Sequence, residues 1–429
     1  MTDTPWREET HRATHRLRVR SRPQILVSLI LIAAAFPIRF PIGGGLTASL
    51  FDATALVTAI LFIFLIPLMK MPTIPRPFLW LAVVSILVAL VSLFWSQDTT
   101  TSALYVVSSI EAFVVFIVVV TLLTDAPPTQ IVRLISVLVL LLLTGSVLLW
   151  LRVPAFMPPA ELDPLQGDYL SYFARLSHPF IGRSNNLAAL LVIFIVPLTV
   201  WARRTGHRFS GFVAFLALAA VILTLSRGTL IAFAASIVIY VLVEGKAGWN
   251  FSKKAAAWLV PISVVGLVAI SANPEMGRFF SDRFNSDGAD ARLDLYAAAQ
   301  RAFSANWIAG AGAGVGADVH NTFMQQVTYF GLVCGVVIGI LLIRVGAWWF
   351  ARAHAEHLWL AHAIGVGFTA QLMSFWVESS YEGSLLRPLL WLGWALVVAL
   401  FNAQRSKAAP EHLRDSTESM LRRSRRVQA

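Results

Sequence analysis

The sequence predicts an all-α, polytopic membrane protein of about 12 transmembrane helices with two longer loops on the outer side. Three observations predict it. Apolar residues make up 57% and charged residues 13% of the 429, against about 45–50% and about 25% in soluble chains. Apolar runs near the roughly 20 residues that cross a bilayer as a helix recur along the chain. Lys and Arg are concentrated in alternate connections. With 26 Gly and 20 Pro, the collagen-like and low-complexity classes are excluded. The single cysteine, Cys334, builds neither an intrachain disulfide nor a Cys-rich metal site.

In chain order, residues 1–23 read as a basic cytoplasmic tail. They contain six arginines, and no A-x-A-type cleavage site follows the first apolar run, which is therefore read as a retained helix. The membrane domain covers 24–402. Its spans centre on Ile25–Phe40, Ala53–Met69, Phe78–Trp95, Leu104–Leu123 and Ile131–Leu151. A loop over 152–186 leads to Leu187–Ala202, Phe212–Leu225, Thr229–Val243 and Ala256–Ala272. A second loop over 273–321 leads to Thr322–Ile343, Leu358–Phe375 and Leu389–Phe401, and residues 403–429 form a second basic tail. Backbone groups in lipid must be satisfied internally, so these runs read as helices, and no β-barrel alternation appears.

With the N-terminus in the cytoplasm and strict alternation, 24 of the 34 basic residues fall inside and 10 outside. Acidic residues lean the other way, with 13 outside and 9 inside. The net charge of +11 then reflects orientation, and no nucleic-acid partner is needed to explain it. Both long loops face outward, and loops of this length are often functional. Within the second, Ala291–Phe303 has the spacing of an amphipathic helix at the outer boundary.

Under this orientation every even-numbered span begins on the outside. Arg183, Arg227 and Arg387 lie at or beside such starts. A cation at the positive end of a helix, on the side poor in cations, is unfavourable on its own. A shared anion such as pyrophosphate reconciles the two, since helix N-termini and the planar fork of Arg both bind its oxygens. For each arginine singly, lipid headgroup contact or pairing with outside acids is the plainer reading.

His320 precedes the tenth span. Alone it reads as a packing residue. At a helix N-terminus among arginines its imidazolium is disfavoured, and a neutral ring can accept a proton from a hydroxyl. The run Gly310–Gly316 permits close backbone approach to a bulky ligand, and no strand precedes it to make a dinucleotide fingerprint. Glu111 lies inside the fourth span, where charge is costly, and the sequence names no partner for it. No zinc spacing, phosphate loop or serine-hydrolase elbow is present, so neither a metal nor a cofactor is predicted.

The stretch ARLDLYAAAQRAFSANWIAGAGAGVGADVHNTFMQQVTYFGL resembles the signature region of the bacterial O-antigen ligase and polymerase family. Arg292, Tyr296, Gly312, Gly314, His320, Asn321, Gly331 and Leu332 fit it. Ser226-Arg227-Gly228 and Asn186-Leu187-Ala188 resemble two further family segments upstream. Tyr296 stands where Trp is common, and Phe323-Met324 where the family has a Leu.

The resemblance implies a glycosyltransferase of the bacterial inner membrane with its site facing the periplasm. Its donor would be a glycan on undecaprenyl pyrophosphate, without nucleotide sugar or metal. A ligase moves that glycan to lipid A-core, in lipopolysaccharide biosynthesis. A polymerase, the alternative, moves it to a second lipid-linked glycan, in O-antigen or exopolysaccharide biosynthesis. A transporter of lipid-linked sugars ranks third, because midplane charges and broken helices are wanting. In this scheme His320, Arg227 and Arg292 are catalytic, and Arg183, Asn321, Gly312 and Gly314 bind substrate. Asn321 either orients His320 or caps the tenth span.

Overall fold

The computed structural model describes residues within 25–65, 73–151, 176–181, 184–245, 296–315, 321–376 and 387–406. Helices dominate. They are α1 (Ile25–Ala34), α2 (Leu50–Leu65), α3 (Arg76–Ser92), α4 (Thr99–Leu122), α5 (Pro128–Trp150), α6 (Ser184–Thr205), α7 (Arg208–Leu223), α8 (Arg227–Glu244), α9 (Thr322–Glu356), α10 (Trp359–Phe375) and α11 (residues 387–406). Every predicted span except Ala256–Ala272, which lies almost wholly outside the described residues, falls on one of these. Among them, α4, α5, α6 and α9 are long and apolar enough to cross a membrane.

Two local features depart from a purely helical reading. Arg39–Gly43 and Leu46–Ser49 form an antiparallel hairpin, so the first helix stops at Ala34 rather than Phe40. The strand-to-helix transition is set by Ser49 and Asp52. The Ser49 N–H donates to Asp52 Oδ2 at 2.6 Å, and the Asp52 N–H donates to Ser49 Oγ at 3.1 Å, a reciprocal cap.

The second departure decides the site. The tenth span is not one helix. Gly331 sits inside α9 with φ 76° and ψ 173°, and the chain reverses there. A Cβ on Gly335 would stand 2.5 Å from Val327 Cα, and one on Gly339 would stand 3.2 Å from the Phe323 ring. Residues 8 and 16 positions apart would be about 12 and 24 Å apart in a continuous helix. The pairs 327/335 and 323/339 are centred on Gly331, so residues 322–330 fold back antiparallel on the helix that follows. Glycines 331, 335 and 339 make the turn and then let the two backbones touch.

Helix directions follow from paired contacts. Gln371 donates to the Ala189 carbonyl at 2.8 Å and Gly367 abuts Ile193, so α10 runs antiparallel to α6. Gly393 faces Leu190 and Phe194, so α11 runs alongside α6 at the centre of the bundle. Residues 389–401 of α11 are almost fully buried. Trp394 Nε1 donates to Gln371 Oε1 at 2.7 Å, which ties α10 to α11 in the apolar interior. Phe78, Phe116, Phe368, Trp391 and Trp394 stack around this point. The short α6–α7 and α7–α8 connections then carry the start of α8 to the end of the bundle where α6 and α11 begin. Alternation, as read from the sequence, places these starts together.

Candidate functional site

Asn321 begins the reversed segment. Its Oδ1 accepts from the Met324 N–H at 3.0 Å, a helix cap. Its Nδ2 donates to the Trp376 carbonyl at 2.8 Å, and Phe323 stacks on Trp376 at 4.6 Å between centroids. The start of the short helix is thereby pinned to the end of α10. Of the two roles allowed for Asn321, capping is the one the geometry displays.

The buried side of the short helix is polar. Thr322, Gln325, Gln326 and Thr328 are all buried. Gln325 Nε2 donates to the Tyr329 hydroxyl at 2.6 Å. Tyr329 and Phe330 pack edge-on against Tyr105 of α4, at 5.9 and 5.8 Å.

Over the ring of Tyr105 lies Arg387, 2% exposed, with its guanidinium carbon 3.5 Å from the ring centroid. The same group donates to the Tyr105 carbonyl at 3.2 Å and to Ser109 Oγ at 3.0 Å. The arginine that opens α11 is thus engaged by α4, through a cation–π contact and charge-assisted hydrogen bonds.

The glycine run docks against the same corner. The Ala311 N–H donates to the Thr328 carbonyl at 2.9 Å, Gly312 N–H to Tyr329 at 3.0 Å, and Leu332 N–H to Trp307 at 2.9 Å. Ala313 is gripped from the α3–α4 junction. Its N–H donates to Ser92 Oγ at 3.1 Å, and its carbonyl accepts from Ser102 Oγ at 2.8 Å. The sequence predicted glycines so that a ligand could approach. In the structure the approach at Gly312 and Gly314 is made by protein: a Cβ on Gly312 (φ 108°) would stand 2.5 Å from Ser96 Oγ, and one on Gly314 (φ 72°) 3.2 Å from Tyr105. Gly310 and Gly331 interlock in the same way, through the Tyr329 and Ile308 carbonyls.

Arg227 occupies the first turn of α8 and is exposed. Ser226 caps that helix, its Oγ accepting from the Thr229 N–H at 3.4 Å. Arg183, Arg292 and His320 lie outside the described residues. Part of the predicted amphipathic helix, residues 296–301, is helical. Glu111 stands near Asp52 of α2, and its Oε1 is buried without a hydrogen-bond partner among the described residues. Among the described residues no group of three or more His, Cys, Asp or Glu side chains could hold a metal.

Sequence reading missed the reversal at Gly331 and the engagement of Arg387. The first had a signal, glycines at 331, 335 and 339, a four-residue repeat that marks close helix contact. The second had none, since Tyr105 and Arg387 are 282 positions apart.

Fold and site together define a multi-pass helical membrane protein whose polar groups gather at the shared end of several helices. Residues 211–338 match the O-antigen ligase family model. This segment, which includes Arg227, Arg292, His320 and the reversal at Gly331, is thus similar to an O-antigen ligase domain. A comparison with curated proteins finds no match.

Proposed function

We propose that the protein is an inner-membrane glycosyltransferase that moves a glycan from undecaprenyl pyrophosphate to lipid A-core, with its site facing the periplasm. The family match over 211–338 carries this reading, because it spans Arg227, Arg292 and His320. The donor's anomeric carbon is attacked by an acceptor hydroxyl, and pyrophosphate leaves. His320 takes the hydroxyl proton as general base. Arg227 and Arg292, with Arg183, hold the pyrophosphate and stabilise the charge that develops on it. Asn321 fixes the start of the helix behind His320. No metal takes part in this scheme, so transfer proceeds in a strong chelator.

Product analysis of a deletion strain tests the reading. Loss of a ligase leaves lipid A-core without polymer while lipid-linked polymer persists. Single repeat units, or no exopolysaccharide, would instead make the protein a polymerase. Lipid-linked units trapped on the cytoplasmic side would make it a transporter.

A further inference from the structure

The corner where the glycine run docks presents an apolar rim to the surroundings. Phe94 is 90% exposed, Ile308 66% and Val333 68%, and Trp95, Trp307 and Leu332 are exposed beside them. These six residues come from three segments, yet they form a built surface. Trp95 Nε1 donates to the Ala309 carbonyl at 2.7 Å, and the Leu332 N–H donates to the Trp307 carbonyl at 2.9 Å. Both ties fix the rim to the reversal at Gly331.

What borders the rim names its partner. On one side the flank of α9 continues through Val336, Val337, Ile340 and Ile343, all exposed aliphatic residues facing away from the bundle. On the other side stand Gln97, Asp98, Thr99 and Thr100, all exposed and polar, at the start of α4. Aliphatic surface, then Trp and Phe, then polar residues is the order met on crossing from hydrocarbon through headgroups to water.

We propose that this rim seats in the headgroup boundary of the phospholipid leaflet at the outer end of the bundle. The depth of the site follows from this. The short helix, residues 322–330, runs from Asn321 up to the rim and covers about 13 Å. Asn321 therefore lies about that far below the headgroup boundary, at hydrocarbon depth. The 17 residues of α10, which ends beside Asn321 at Trp376, agree. They span about 25 Å, short of the roughly 30 Å of hydrocarbon. At that depth polar side chains must be hidden from lipid. The short helix turns Thr322, Gln325, Gln326 and Thr328 inward, as this requires. The polar side of the short helix is thus packed against protein below the headgroups. The placement of the rim does not depend on the proposed transfer activity.

The test uses the full chain, with Cys334→Ser to remove the sole thiol, in phosphatidylethanolamine–phosphatidylglycerol nanodiscs. Single cysteines at Thr100, Ile308 and Ile340 are spin-labelled, and their access to oxygen and to a water-soluble nickel chelate is compared. The Ile308→Cys label is expected within about 5 Å of the headgroup boundary, with access to both reagents. The Ile340→Cys label is expected about 12 Å deeper than the rim, and the Thr100→Cys label in water. An Ile308→Cys label as nickel-accessible as Thr100→Cys would overturn the proposal. So would a label there shielded from both reagents, which would mean that a protein, not lipid, covers the rim. Variants are compared only where elution and melting match the parent.

Discussion

His320→Ala is expected to lower turnover by about 10²–10⁴-fold, the usual contribution of a positioned base, while donor binding persists on the arginines. His320→Gln should not restore the rate, since an amide still hydrogen-bonds but takes up no proton. Arg227→Ala and Arg292→Ala should each lose about 10–150-fold, the worth of a charge-assisted bond, and Lys should recover only part, lacking the fork. Arg203→Ala, at the other end of α6, should retain activity. Purified protein with lipid-linked donor and acceptor reads all of these. Near-normal turnover in His320→Ala would refute the base assignment.

A different histidine governs stability. His178, between α5 and α6, is fully buried, and a Cβ on Gly145 would stand 2.6 Å from its Nε2. Gly145→Ala should therefore cost about 1–3 kcal/mol. Burial pushes the His178 imidazole down to about 3, whereas an unfolded histidine titrates near about 6.5. As pH falls through that window the unfolded chain binds the proton first. Stability present above about pH 6.5 is then lost toward pH 3, by up to about 1.4 kcal/mol per unit. Melting curves in detergent should show this slope in the parent and a shallower one in His178→Gln. Equal slopes would mean that other groups set the acid limit.

Among the elements, the reversed segment of α9 is the most exacting. Gly335→Val drives a side chain into the Val327 backbone, which has nowhere to go, and should abolish the folded protein. Gly339→Ala meets only the edge of the Phe323 ring and should cost far less. Size-exclusion profiles and melting temperatures of the two variants check the difference. This element also marks where sequence reading stops. Hydropathy is blind to direction, so Thr322–Ile343 reads as one crossing although it contains a turn. The glycine run Gly310–Gly316 was legible as a place of close approach, but what approaches it, Ser96 and Tyr105, lies more than 200 positions earlier. By contrast the spans that fall on described helices and the N-cap at Asn321 were legible, because periodicity and capping are local.

For the whole molecule, the orientation inferred from basic residues predicts that both ends of the chain and the loops 152–186 and 273–321 lie on opposite sides of the membrane. An alkaline phosphatase fused after Ser286 should be active, and a fluorescent protein fused after Ala429 should fluoresce. A cytoplasmic reporter active after Ser286 would remove the basis of the proposed site. The reversal at Gly331 does not disturb this count. In that orientation Gly331 would return the short helix to the outer side and only the helix after it would cross, so the parity of every later helix is kept.

The docking of Ala313 between Ser92 and Ser102 has a consequence for the order of assembly. Its two partners are separated from it by 221 and 211 residues. Domains fold as they emerge during synthesis, and contacts this distant in sequence form late. When α3 and α4 have already been inserted, their junction must wait for roughly half the chain to be made before it is covered. The corner that carries Asn321 then stays open until the glycine run, α9 and the end of α10 have all arrived, and a nascent chain stopped short of Gly331 is expected to lack the site.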